Sequence, residues 1–181
     1  MIETNLLFLN GDIDETFYHG GPLNSETIEN KDFLNDVIEL NKQQIFTYDS
    51  QPCLFNKQRS YISFHCNIDL IEKLFDKLKN DKNIYFSCKT SETYYDNMEC
   101  EKLNLSRNKR NGKWNKYTNW WKNNYIEDDC VFPSYLESLI EDEYPVVCDL
   151  LENSTDCMII LKNFKNDISA PNILLNYINS I

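Results

Sequence analysis

The stretch from residue 60 to residue 89 constrains the fold most, because three segments with different hydrophobic periods follow one another there. Residues 60–66 (SYISFHC) alternate between two faces in the manner of a strand. Residues 68–80 predict a helix, because their apolar side chains recur at helical spacing: Ile71, Leu74, Phe75 and Leu78. Residues 83–89 (NIYFSCK) predict a second strand.

The remaining segments predict further helices and short strands. The helices are expected at 31–44, 134–142 and 171–180, and the strands at 45–48, 145–151 and 157–164. Residues 49–52 (DSQP) are expected to end the strand 45–48, because the proline forces the residue before it away from the α region. Strands and helices alternate irregularly, with hairpin-like pairs, so the predicted fold class is α+β and not a doubly wound sheet.

Two helix starts carry capping signals. Asn30 or Asp32 can cap the helix at 31–44, and Asp69 with Glu72 can form a capping box at the start of the helix at 68–80.

The length of 181 residues indicates one domain with enough apolar residues, 41%, for a core. The first thirty residues are acidic and rich in turn signals, with His19-Gly20-Gly21-Pro22 as the clearest break. We therefore expect residues 1–20 to be an N-terminal extension and residues 21–181 to be the α+β domain.

The charge balance excludes some partners. Eighteen Lys and Arg face 29 Asp and Glu, and a net charge of −11 opposes general binding to nucleic acid or anionic membranes. No apolar run approaches the roughly 20 residues that span a bilayer, and no signal peptide is visible, so the expected location is the cytoplasm. The composition favours residues of A/T-rich codons, which suggests an A/T-rich microbe or a virus, in which case the location is the host cytoplasm.

The cysteines and histidines do not form a metal-binding pattern. The seven Cys are odd in number and include no CxxC, so we expect reduced, mostly buried thiols. His19 and His65 have no Cys or His at ligand spacing, so no metal site is predicted.

No catalytic set is predicted. The chain has no GxSxG, no HExxH and no glycine-rich phosphate loop among its four glycines. His19 or His65 could in principle pair with one of the seven Cys, but nothing in the sequence indicates that such a pair is close in space. The chain is therefore expected not to be an enzyme and to need no cofactor, and His65 is interpreted as an ordinary strand residue.

Residues 102–122 form a basic, aromatic segment. It holds seven cations and no acid, with Trp114, Tyr117, Trp120 and Trp121 interleaved. Cations beside stacking rings are what single-stranded nucleic acid needs. The interpretation we favour is a solvated basic loop followed by an amphipathic helix whose Trp side chains lie in the core. A third interpretation has the segment contacting the acidic remainder of the chain or of a second copy.

Residues 22–52 carry the most specific pattern in the chain. Three short segments make up this pattern. The first long predicted helix is preceded by 22–27 (PLNSET), ends in 40–43 (LNKQ) and is followed by 47–52 (TYDSQP). Together they resemble the C-terminal regulatory domain of eukaryotic methylenetetrahydrofolate reductases, which binds S-adenosylmethionine and S-adenosylhomocysteine. The strand–helix–strand order of 60–89 and the segment 140–147 (IEDEYPVV) extend the likeness over roughly residues 20 to 165. The resemblance implies two mixed β-sheets side by side, surrounded by helices.

The resemblance also implies a ligand site. The family's ligand contacts correspond here to Glu26, Thr27, Thr47 and Ser50. A carboxylate can accept hydrogen bonds from both ribose hydroxyls, and Thr and Ser hydroxyls suit the ammonium and carboxylate of the amino-acid tail. Tyr48 or Tyr18 can offer an aromatic face to the sulfonium. The local alternative for each residue is a turn, a helix cap or a solvated side chain.

The likeness departs from the family at three places. An ungapped register would put Glu29 and Asn30 at the Glu-Thr positions, but Glu26 and Thr27 are preferred because the Pro-Leu pair precedes them. Residues 53–57 (CLFNK) are shorter than the family's Gly- and Trp-rich stretch, which forms one wall of the pocket. The reductase barrel is absent, so the chain is not expected to be a reductase.

Two functions follow from these patterns. The first is a free-standing module that binds S-adenosylmethionine or S-adenosylhomocysteine, as a sensor, a regulator or a sequestering protein. The second is an interaction or structural protein, such as a virion component, that keeps the fold without the ligand. Its partner would be another protein or a second copy.

Overall fold

The computed structural model describes residues 2–14, 16, 19, 23–52, 59–89, 94–96, 154–161 and 168–181. The helices in these ranges are α1 (Ile2–Asn10), α2 (Lys31–Lys42), α3 (Ile68–Leu78) and α4 (Ala170–Ile178). The strands are β1 (Phe46–Gln51), β2 (Tyr61–Asn67), β3 (Ile84–Lys89), β4 (Tyr94–Asp96) and β5 (Ser154–Leu161). Outside these ranges lie the predicted helix at 134–142, the predicted strand at 145–151, the basic segment 102–122, the segments 53–57 and 140–147, and Tyr18.

The five strands form one sheet in the order β1-β2-β5-β3-β4, and every neighbouring pair is antiparallel. Since β2 and β3 both run opposite to β5, they run in the same direction, and α3 is the helix between them in the chain. The fold class is therefore α+β, as the sequence predicts. A second sheet stays a prediction.

The register of the strands divides their side chains between two faces. On one face, Ile62 and Phe64 of β2 lie beside Ile159 and Cys157 of β5, and they share a core cluster with Leu74 of α3. Helix α4 packs on the same cluster through Ala170 and Leu174. This face, which we call the helix face, holds the main core.

The opposite face, which we call the second face, is also buried along its central strands. Tyr61 of β2 packs there with Met158 and Ile160 of β5. Ser63 and His65 lie on the same side of β2 and are buried as well. Because both faces are covered at β2, its burial does not alternate along the strand.

Helix α1 packs on α2 and was not expected from the sequence. Phe8 and Leu9 of α1 form a second buried cluster with Phe33, Leu34 and Val37 of α2. The predicted boundary at residue 20 stays a prediction, with α1 packed against α2 across it.

Local signals explain how the helices start. Of the two predicted candidates, Asn30 and Asp32, it is Asn30 that caps α2, since its side chain accepts a 3.0 Å hydrogen bond from the Phe33 N–H. The predicted capping box at Asp69 and Glu72 is wrong. Helix α3 begins at Ile68, as predicted, so Asp69 lies inside its first turn. Asn67 is the cap, because its side chain accepts a 2.8 Å hydrogen bond from the Asp69 N–H.

Strand β1 continues past the turn signals that were expected to end it. It runs to Gln51 and pairs with β2 on both sides of an irregular register between Thr47 and Asp49. A bulge at this point lets the strand bend and still keep its pairing. Tyr61 also donates a 3.0 Å hydrogen bond to the Asp49 carboxylate, which holds the segment in the sheet.

Candidate functional site

Glu26 and Thr27, the first two predicted ligand residues, lie in an exposed turn. Asn24 organises this turn: its side-chain oxygen accepts hydrogen bonds from the Glu26 N–H, the Thr27 N–H and the Thr27 hydroxyl, at 2.9 to 3.1 Å. The Thr27 hydroxyl therefore shapes the turn, as Asx turns do. The Glu26 side chain is exposed.

The turn is attached to the end of α1. The Ser25 N–H donates to the Leu9 carbonyl at 3.2 Å, and the Ser25 hydroxyl donates to the Asn10 carbonyl. Gly11 follows with a positive φ of 82° and lies against Ser25, where a Cβ would collide with the serine hydroxyl. The helix end and the turn thus fit together only with glycine between them.

Thr47, the third predicted ligand residue, is fully buried on β1 at the helix face. Its hydroxyl accepts a 2.8 Å hydrogen bond from the Asn41 side-chain amide of α2, and its carbonyl accepts a 2.9 Å bond from the Asn5 amide of α1. Three elements therefore meet at this threonine through polar contacts inside the core.

Asn5 and Asn41 hold each other in one orientation. The Asn5 Nδ2 donates to Asn41 Oδ1 at 2.6 Å as well as to the Thr47 carbonyl. Both of these partners are acceptors, so the Asn5 amide nitrogen must point toward them. The Asn5 Oδ1 then points away, and it is buried without a hydrogen-bond donor among the described residues.

His19 completes this buried polar cluster. Its Nε2 shares a 3.2 Å hydrogen bond with the Thr47 hydroxyl, and its ring lies parallel to Phe8 with centroids 5.8 Å apart. Burial lowers the pKa of His19 to about 3, against the opposing effect of a hydrogen bond to the Thr47 backbone, so the imidazole is neutral at physiological pH.

The remaining predicted residues lie in separate environments. The Ser50 hydroxyl is buried and has no hydrogen-bond partner among the described residues. Tyr48 stacks on His65 with ring centroids 5.1 Å apart, while Glu29 is exposed and Asn30 caps α2. Of the four preferred ligand residues, Thr47 and Ser50 share β1, whereas Glu26 and Thr27 share the exposed turn.

Helix α1 contacts both segments that contain the preferred ligand residues. Asn5 touches Thr47, and the carbonyls of Leu9 and Asn10 hold Ser25. Four residues of α-helix rise about 6 Å, so the two attachment points are about 6 Å apart along the helix axis.

A second polar group lies on the second face of the sheet. Burial raises the pKa of the Asp49 carboxyl, while the hydrogen bond from Tyr61 acts in the opposite direction. Burial also lowers the pKa of His65 to about 3. Arg59 lies over the ring of Tyr85, 5.9 Å from its centroid, and burial lowers its pKa. Polar and ionisable side chains are thus buried on both faces of the sheet.

Sequence reasoning missed the residues around Thr47. Asn41 could have been found, because it stands four residues after Val37 and seven after Leu34 on the apolar stripe of α2, where a polar side chain needs a partner. Asn5 and His19 gave no comparable signal, because α1 itself was not foreseen.

The described ranges hold neither a three-residue metal cluster nor a membrane-spanning helix. Within them, no three His, Cys, Asp or Glu side chains lie close enough to share a metal ion. None of the helices there has the length and apolar character needed to cross a bilayer. Cys66 and Cys157 are free, buried thiols, as the sequence predicts.

No protein-family model and no curated protein matches the chain.

Proposed function

We propose that the chain is a non-catalytic cytoplasmic module that binds S-adenosylmethionine or S-adenosylhomocysteine, as a sensor, a regulator or a sequestering protein. The fold would be that of the methylenetetrahydrofolate reductase regulatory domain, with a second sheet beside the one described. The proposal rests on the residue pattern of 22–52 together with one contact in the structure.

That contact is the hydrogen bond between His19 and Thr47. A ligand held by Glu26, Thr27, Thr47 and Ser50 requires the chain before α2 to fold back onto the strand after it. His19 precedes α2 and touches β1, and the turn that bears Glu26 is held by the same helix, α1, that contacts Thr47. Both facts support a ligand site between the turn and the strand.

Each predicted residue has a role in this proposal. Glu26 accepts hydrogen bonds from the ribose hydroxyls, because its side chain is exposed and free to turn toward a ligand. The Ser50 hydroxyl, buried without a partner among the described residues, binds the polar amino-acid tail. Thr27 and Thr47 act mainly by shaping the turn and the strand, because their hydroxyls already bond to Asn24 and Asn41.

A second candidate function is supported by the burial of Thr47. Its hydroxyl and carbonyl both bond within the chain, and none of its surface is exposed. A protein that kept this fold and lost the ligand would show the same satisfied threonine. This candidate is an interaction or structural protein, such as a virion component, with another protein or a second copy as its partner.

Isothermal titration of the full chain with each metabolite separates the two functions. We expect a saturable heat for at least one metabolite. A ligand at a hundred times Kd adds about 2.7 kcal/mol of stability, which raises Tm by about 5 to 10 °C in a chain of this size. The absence of both effects with both metabolites would refute the binding function and leave the second candidate.

Matched variants assign the binding to the predicted residues. Ser50→Ala should weaken binding, whereas Ser63→Ala should not, because Ser63 has a similarly buried hydroxyl but lies on the second face. Glu26→Gln should weaken binding more than Glu29→Gln. The reverse order would favour the alternative register, and equal affinities in all four variants would contradict the proposed site.

A further inference from the structure

The buried cluster around Asn5 has one unsatisfied acceptor, and its surroundings suggest what satisfies it. Asn5 is fully buried, and its Oδ1 accepts no hydrogen bond from the described part of the chain. Buried side-chain oxygens are nearly always paired, so this one indicates a missing donor. The amide cannot turn to relieve it, because its nitrogen is held by Asn41 and by the Thr47 carbonyl.

An aromatic ring lies one helical turn from this acceptor. Phe8 stands three residues after Asn5 on α1, so both side chains project from one side of the helix. The His19 ring lies parallel to Phe8, with an angle of 4° between the planes, and its edge bonds to Thr47. A flat heteroaromatic ring is therefore stacked on one face and hydrogen-bonded at one edge, as a nucleobase is in a binding site.

From these contacts, and resting on the proposed function, we infer that His19 occupies the adenine position of the ligand site. The adenine ring replaces the imidazole, stacks on Phe8 and donates its exocyclic amino group to Asn5 Oδ1. Asparagine amides pair with this amino group of adenine in other recognition sites. The Thr47 hydroxyl, which then no longer bonds to His19, is available to the ring nitrogens of the base.

The inference distinguishes adenine from related bases. Hypoxanthine carries a carbonyl oxygen where adenine carries the amino group, so it would place an acceptor against Asn5 Oδ1. Sites built to bond a polar group reject analogues that leave that bond unmade. S-inosylhomocysteine, which has hypoxanthine in place of adenine, should therefore bind at least about tenfold more weakly than S-adenosylhomocysteine.

If adenine replaces the His19 ring, the affinity for S-adenosylhomocysteine depends on how strongly the protein holds that ring. A ligand that replaces the imidazole must break its stacking on Phe8 and its bond to Thr47. His19→Ala removes that competition, so the variant should bind S-adenosylhomocysteine about tenfold more tightly while being less stable without ligand. His65→Ala is the matched control, because His65 is also buried and neutral but lies on the second face.

The experiment is a calorimetric titration of the full-length wild type, His19→Ala and His65→Ala with S-adenosylhomocysteine, and of the wild type with S-inosylhomocysteine. Tighter binding in His19→Ala alone, with a weakened inosyl analogue, supports the inference. Binding by the wild type that is unchanged in His19→Ala and equal for both ligands overturns the inference and leaves the proposed function intact. Absence of binding in the wild type and in His19→Ala overturns both.

If His65→Ala does not fold, the comparison of the two ligands on the wild type still decides the adenine contact. Equal affinity for the two ligands would refute the role of Asn5.

Discussion

Replacing Thr47 with valine tests the polar cluster that joins α1, α2 and β1. The two side chains have the same shape and are both β-branched, so the substitution changes hydrogen bonding and little else. It removes the acceptor of the 2.8 Å bond from Asn41 and the partner of His19 at 3.2 Å. The Asn41 amide keeps its 2.9 Å bond to the Val37 carbonyl but loses the use of its second hydrogen.

The expected cost follows from these contacts. A buried N–H left without an acceptor costs about 1 to 3 kcal/mol, and the lost bond to His19 about 1 kcal/mol more. The added methyl group recovers about 0.8 kcal/mol. The net loss is about 1 to 3 kcal/mol, which corresponds to a fall in Tm of about 2 to 12 °C for a chain of this size.

Urea unfolding followed by circular dichroism measures this loss, and Thr27→Val is the control. Thr27 is an exposed residue, and Asn24 keeps its two backbone donors when the Thr27 hydroxyl is removed, so the control should lose less than about 1 kcal/mol. Equal stabilities for the two variants would refute the view that the buried cluster holds α1, α2 and β1 together.

Two further predictions concern helix capping and pH. Asn67→Ala should destabilise the protein by about 1 kcal/mol in the same urea assay, because it removes the cap of α3. Asp69→Ala should change the stability by less. The opposite order would support a capping box at Asp69 and Glu72 instead. His65 has a pKa of about 3 when folded and 6.5 as its ordinary value, so the unfolded chain binds the extra proton and stability falls as pH drops below 6.5. His65→Gln should remove up to about 1.4 kcal/mol per pH unit from the slope of stability between pH 5.5 and 4.5, and an unchanged slope would contradict the neutral buried imidazole.

Local periodicity correctly predicted the elements that show their buried face in their own sequence. Helices α2, α3 and α4 show apolar stripes that pack on the sheet or on α1, and these stripes are visible without any knowledge of partners. Strands β2 and β3 were likewise predicted to within a residue or two. The fold class could therefore be obtained from the sequence alone.

Contacts between distant residues could not be predicted in this way. The position of β5 between β2 and β3 depends on pairing across nearly a hundred residues, for example Ser63 with Met158. Strand β1 extends past its turn signals because pairing with β2 satisfies its backbone, and α1 gains its burial from α2. The cluster of Asn5, Asn41 and Thr47 joins α1, α2 and β1, so it could not be predicted before these elements were placed.

Hydrogen exchange of the full chain with and without S-adenosylhomocysteine tests the proposed site most directly. Exchange should slow in peptides that cover α1, the turn at 24–28 and β1, because these segments surround the proposed ligand. Peptides from α3 provide the internal reference and should exchange at the same rate in both samples. Unchanged exchange in α1 and β1, or slower exchange confined to other segments, would contradict a metabolite site between the turn and the strand.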